Sequence, residues 1–181
     1  MSSWNKIARR IRVPLGFVFA AVFIWLARPT LASIMIGSCV AFAGLCIRAL
    51  ASGHVEKNEA LATSGPYAHT RNPLYLGSII LAIGFLIAAK SSWLPLIAAA
   101  MLVAIYVPVI QSEEAFLRER FPEFDEYAAQ VPRLFPRPRA YQRRPRSFSW
   151  HLYWKHREYN AALGAGLMIA VLVAKAVWFR K

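Results

Sequence analysis

The chain has 181 residues, 57 % of them hydrophobic and 17 % charged, and carries a formal net charge of +13. That is too apolar for a water-soluble domain of this length, and the apolar residues come in blocks, as in a polytopic membrane protein. The positive-inside pattern of membrane loops accounts for the surplus of Lys and Arg, which sets nucleic acid aside and makes anionic lipid headgroups the partner of the basic stretches.

In chain order, the first apolar run covers residues 13–27, extended by an amphipathic stretch over 4–12. Lys6, Arg9, Arg10 and Arg12 before it resemble the start of a signal peptide. A second run begins at Leu31 after only Arg28-Pro29-Thr30, so a helical hairpin is expected over 1–51. The second run, 31–51, is long enough to cross about 30 Å at 1.5 Å per residue. It carries Cys39 and Cys46 on one helix face, roughly 10.5 Å apart, too far for a disulfide. They read as small buried hydrophobes.

Residues 64–77 follow: Ser-Gly-Pro-Tyr-Ala-His-Thr-Arg-Asn-Pro-Leu-Tyr-Leu-Gly. Gly65-Pro66 is a turn. Asn72 is placed to cap a helix whose first residue is Pro73. Two apolar runs, 74–89 and 93–110, are joined by Lys90-Ser91-Ser92. Gly77 and Gly84 share a face and allow another helix to approach closely, within the chain or between chains. Residues 111–120 continue the fourth helix past the bilayer until Phe121-Pro122 breaks it. Phe124, Tyr127, Ala128 and Val131 then mark a short amphipathic helix. Pro132, Pro136 and Pro138 predict an extended segment, and Arg143, Arg144 and Arg146 a basic run lying on headgroups. The last apolar run is 161–179, with Lys175 snorkelling to an interface and Arg180-Lys181 beyond it.

With the N-terminus in the cytoplasm, 17 of the 22 Lys and Arg fall on the cytoplasmic side, the orientation the positive-inside rule favours. The expected fold class is thus all-α: a polytopic integral membrane helical bundle of about five transmembrane helices. It forms a single domain over 1–181, with an N-terminal hairpin (1–51), a central motif region (52–138) and a basic tail with a C-terminal helix (139–181).

Candidate chemistry gathers on the cytoplasmic side. Arg71, just before a helix start, suits a carboxylate or phosphate. Glu114 has Arg118 at i+4 as a local partner. Glu113 has none and is expected to meet Arg71 or a ligand cation, since a helical hairpin returns to the side where it began. Tyr75 lies at i+4 from Arg71; Tyr67 and Tyr127 flank the same region, and His69 lies on the loop. No nucleophilic triad, phosphate loop or metal-ligand spacing is visible.

Taken together, Gly65-Pro66-Tyr67, Arg71-Asn72-Pro73-Leu74-Tyr75-Leu76-Gly77, an apolar hairpin, Glu113-Glu114, and Phe121, Tyr127, Val131-Pro132-Arg133 and Pro136 resemble the isoprenylcysteine carboxyl methyltransferase family, whose relatives include the phospholipid N-methyltransferases. The resemblance covers about 59–136. Asn72 stands where the family pattern has His, and Glu59 where it often has another. The resemblance implies a membrane enzyme using S-adenosylmethionine at its cytoplasmic face, with a lipophilic acceptor entering from the bilayer: a carboxylate of isoprenylcysteine type or a lipid amine. It assigns Arg71 and Glu113 to catalysis. Cofactor binding falls to Tyr67, His69, Arg71, Asn72, Pro73, Tyr75, Glu113, Glu114 and Tyr127. The alternatives are a membrane reductase using a nicotinamide cofactor and a non-catalytic membrane module. Oligomeric state is left open.

Overall fold

A computed structural model describes residues 3–56, 59–141 and 147–178, with the backbone alone over 3–13. The expected basic run at 143–146 and Arg180-Lys181 lie outside the described residues. Among those described, regular structure is entirely helical: α1 (Ser3–Leu26), α2 (Leu31–Ser52), a 3-10 turn (Gly65–Ala68), α3 (Pro73–Ala89), α4 (Trp93–Met101), a π turn (Leu102–Tyr106), α5 (Val107–Arg120), α6 (Phe124–Gln130), α7 (Trp150–Lys155) and α8 (Tyr159–Trp178). Three helices are long and apolar enough to cross a membrane: Leu31–Ser52, the continuous rod Trp93–Arg120, and Tyr159–Trp178. Pro14–Leu26 and Pro73–Ala89 are shorter apolar helices. Large apolar side chains such as Phe17, Met35, Phe42, Leu96, Val103 and Leu167 point outward, the surface a bilayer would cover.

Local chemistry sets each boundary. Thr30 caps α2 in a reciprocal box, its hydroxyl accepting from the Ser33 amide while Ser33 Oγ accepts from the Thr30 amide. Ser33 Oγ also reaches the Ala88 carbonyl at 2.9 Å and ties the start of α2 to the end of α3. Within the α4–α5 rod, Pro108 has no N–H to give the i−4 carbonyl. The rod passes through a π turn just before it, where the Val107 amide reaches back to the Leu102 carbonyl.

The tightest pairing is α2 with α3, through glycine. A Cβ at Gly44 would stand 2.6 Å from the Gly77 carbonyl oxygen, and one at Gly84 2.5 Å from that of Gly37. The close approach that Gly77 and Gly84 permit is therefore made inside the chain, by α2. With that face of α2 taken, α1 packs on the α4–α5 rod instead of along α2, so the expected N-terminal hairpin is open. Phe23, Ala27, Ile34, Ala88, Ala89, Leu94 and Leu172 form a core at this end. Lys175, half-buried, gives its ammonium to the Ile24 and Trp25 carbonyls at the end of α1, in place of the expected snorkel. Cys39 and Cys46 are free and exposed on α2, not buried, because the inward face of α2 belongs to Gly37, Ala41 and Gly44.

Candidate functional site

The opposite end of the bundle gathers the carboxyl ends of α2 and α5 and the amino ends of α3 and α8. Gly65 opens the connecting loop at φ +56°, a conformation suited to glycine. The loop is then laced to the Pro-punctuated segment. The amides of Arg71, Arg137 and Tyr141 donate to the carbonyls of Pro132, His69 and Ala68 at 2.9, 3.0 and 2.9 Å. The Thr70 hydroxyl lies 3.2 and 3.1 Å from the Arg133 and Leu134 carbonyls. The extended stretch thus clamps the motif loop. His69 belongs to this clamp: its Nδ1 lies 2.8 Å from the Arg137 carbonyl, and the residue does not line the chamber described below.

Glu114 is the hub. It is 4 % exposed. Its Oε1 accepts from Asn72 Nδ2 at 3.0 Å and lies 3.2 Å from Arg71 Nε; its Oε2 faces Arg133, with Nη2 at 2.8 Å. The Arg71 Nε contact has the distance of an ion pair without hydrogen-bond alignment. Arg71 also donates from Nη1 to the Ala128 carbonyl at 3.0 Å. Arg71 is therefore paired with Glu114 and not with Glu113, and Arg118, the expected partner of Glu114, pairs with Asp125 at 2.7 Å. Burial decides this: a buried guanidinium requires a buried carboxylate, while Glu113 is exposed and accepts from the Tyr75 hydroxyl at 2.9 Å.

Asn72 occupies the N-cap position of α3, but its side chain makes no capping bond. It is drawn to Glu114 and to the Arg133 carbonyl. The first-turn amides of α3 are left without a side-chain cap. Pro73 starts the helix, buried, and does not line the chamber. Tyr127 donates its hydroxyl to the Tyr67 carbonyl at 2.6 Å and packs edge-on against Phe124 and Tyr141. Burial pushes the phenols of Tyr67 and Tyr127 up from their ordinary range. For Tyr67 the Glu113 and Glu158 carboxylates add to the effect.

Between these parts lies a chamber of about 590 Å³. Tyr67, Arg71, Asn72, Tyr75, Glu113, Glu114 and Tyr127 all line it. So do Arg48, Ser78, Glu56, His156 and Glu158, which sequence reading did not single out. Arg48 Nε meets Glu158 Oε1 at 2.6 Å, and its Nη1 also reaches the Ser78 hydroxyl. One signal was available: Glu158 is the only acid after Glu126, alone in a basic tail just before an apolar helix. Glu59 lies off the chamber, in an exposed pair with Lys155 at 3.5 Å. Among the described residues, four acids line the chamber (Glu56, Glu113, Glu114 and Glu158) against two Lys or Arg (Arg48 and Arg71). In a chain of net charge +13, the described lining of this space carries a formal surplus of carboxylate. Among the described residues, no group of three or more His, Cys, Asp or Glu is placed to hold a metal ion.

Apolar membrane-length helices around a polar, acid-rich chamber at one end are the architecture of a helical membrane protein. The chain belongs to the phospholipid methyltransferase family, whose pattern matches residues 15–123, and which is related to the isoprenylcysteine carboxyl methyltransferases. It is similar to the cobalt-zinc-cadmium resistance protein CzcN of Cupriavidus metallidurans, with 34 % identity over 140 residues, 72 % of this chain and 64 % of that protein. It is also similar to the nickel-cobalt-cadmium resistance protein NccN of Alcaligenes xylosoxydans xylosoxydans, with 37 % identity over 114 residues, 62 % of this chain and 53 % of that protein. The chain thus spans under two thirds of the length of these relatives. No solved structure matches it.

Proposed function

We propose that this protein is a membrane methyltransferase that uses S-adenosylmethionine and acts on a lipophilic acceptor, with its chamber at the cytoplasmic face of five membrane-crossing helices. The family supports methyl transfer and lipid-like substrates. The observation that carries the reading is the chamber, built from the motif residues and enriched in carboxylates.

The residues present fit the cofactor. The volume lies within the roughly 300–1,000 Å³ of small-molecule sites. Glu113, held by Tyr75 alone among its described hydrogen bonds, offers a carboxylate to an ammonium or to ribose hydroxyls. The uncapped amides at the start of α3 and the Nη2 of Arg71 suit a carboxylate. When bound, S-adenosylmethionine supplies a methyl group on a positively charged sulfur, open to in-line attack. The chain's own work is to align the acceptor with that methyl group and exclude water.

Of the two acceptor classes, the acid surplus favours an amine over a carboxylate. An anionic acceptor would enter against like charge, an ammonium with it. Asn72 in place of the family's His leaves the Glu114 hub complete, which argues against a decayed, non-catalytic site.

The test is labelled methyl transfer from S-adenosylmethionine to a total lipid extract by the protein in lipid nanodiscs, with mass analysis of the product. Calorimetry with S-adenosylhomocysteine accompanies it. Binding and transfer are expected, both weakened in Glu113→Ala. Wild-type protein that shows neither refutes the reading.

A further inference from the structure

Residues 147–158 lie beyond the family-matched region and form a hook over the carboxyl end of α2. The Ser149 amide donates to the Gly53 carbonyl at 3.0 Å. The Phe148 ring fills the space a Cβ at Gly53 would need. Glu158 pairs with Arg48. His156 Nδ1 lies 3.2 Å from the Ser52 carbonyl, and His156 and Ser52 both line the chamber.

The last of these contacts has a chemical consequence. A carbonyl oxygen can only accept, so Nδ1 carries the hydrogen. In the neutral ring Nε2 then holds a lone pair, and it makes no hydrogen bond among the described residues. A base whose tautomer is held by a backbone carbonyl is the usual arrangement for proton transfer.

Resting on the methyltransferase reading with an amine acceptor, we propose that His156 is the general base of this site and takes the proton from the acceptor's ammonium. The N–H bond of the ammonium breaks, its electrons stay on nitrogen, and Nε2 gains the proton. The lone pair so released forms the bond to the methyl carbon while that carbon's bond to sulfur breaks, its electrons remaining on sulfur. The proton leaves the imidazolium for water at the chamber mouth. The hook thereby gives the site an acceptor side: Glu158 and Arg48 hold the wall, and His156 carries the proton. A carboxylate acceptor, already ionised, would need none of this.

The experiment uses the full-length protein in nanodiscs as wild type, His156→Gln and His156→Ala. Gln keeps a donor for the Ser52 carbonyl but cannot take a proton. Both variants are expected to bind S-adenosylhomocysteine within about twofold of wild type, which checks the fold and the cofactor side. Transfer into the lipid extract is expected to fall roughly 10²- to 10⁴-fold in both, the range for general acid–base groups. Added imidazole is expected to restore part of the His156→Ala rate. The independent readout is 15N NMR of histidine-labelled wild type, with the His156 signal assigned by its loss in His156→Gln. The neutral ring should carry its proton on Nδ1. A proton on Nε2, a wild-type rate in His156→Gln, or a methyl ester as the product each overturns the base role while leaving methyl transfer standing. Absence of any transfer by the wild type overturns the methyltransferase reading itself, and the base role with it.

Discussion

Replacing Glu114 by Ala removes the carboxylate that Arg71, Asn72 and Arg133 share. The three partners do not lose equally. The Arg133 side chain is 49 % exposed and can turn to water, so its loss costs little. The Arg71 side chain is 14 % exposed, and a buried guanidinium stripped of its carboxylate costs about 3–5 kcal/mol. Its remaining bond to the Ala128 carbonyl argues for the lower end, about 3 kcal/mol. For a chain of this size that corresponds to a fall of about 6–12 °C in thermal midpoint. Glu113→Ala loses one hydrogen bond, from Tyr75, at an exposed position. That is worth about 1 kcal/mol, hence about 2–4 °C. Glu114→Gln keeps an acceptor for Asn72 and should fall between the two. Circular dichroism melts in one detergent, at matched protein concentration, measure all three. A Glu114→Ala midpoint no lower than that of Glu113→Ala would refute the hub, and with it the division between a buried, structural Glu114 and an exposed Glu113.

Three further outcomes are expected. Gly44→Leu sets a side chain against the α3 backbone, which cannot yield; it should cost about 3 kcal/mol or more and spoil monodisperse elution. Gly164→Ala meets nothing within 4 Å and should be neutral or stabilising by up to about 1 kcal/mol; equal behaviour of the two variants would undo the glycine seam. Arg48 and Glu158, at 22 % and 11 % side-chain exposure, should couple by about 0.5–3 kcal/mol in a double-mutant cycle of melts, and additive effects would mean that the hook is not held there. Tyr67 and Tyr127 have raised pKa values, so the folded state keeps their protons where the unfolded state sheds them. Their contribution is intact below about pH 10 and is lost as pH rises above it. Absorbance titration should show two of the seven tyrosines ionising only as helical signal is lost, and their ionisation in an intact fold would contradict the burial.

Much of the fold was legible because hydrophobic blocks report helices directly: the α2 and α3 boundaries fall within a residue or so of the apolar runs, and Phe121-Pro122 ends α5. What was not legible is long-range. Arg48 and Glu158 are 110 residues apart: a lone acid in a basic tail marks Glu158 as unusual, but does not name its partner on α2. The open N-terminal hairpin is of the same kind, since adjacency in sequence favours pairing but the glycine face of α2 prefers α3.

The misassigned acid has a more specific cause. In an α-helix each residue turns about 100° from the last, so adjacent Glu113 and Glu114 cannot both face Arg71. A single π turn adds a residue to the rod, and every later residue takes the place its predecessor would hold in an uninterrupted helix. The turn at Leu102–Tyr106, set just before Pro108, therefore puts Glu114 where Glu113 would otherwise stand. Glu114 then closes the site from within, with Asn72 completing the hub. Glu113 is left exposed on the chamber wall, accepting from the Tyr75 hydroxyl. The one-residue shift of the π turn, invisible in an apolar run read only by its hydrophobicity, is thus what turns Glu114 rather than Glu113 toward Arg71 and Asn72.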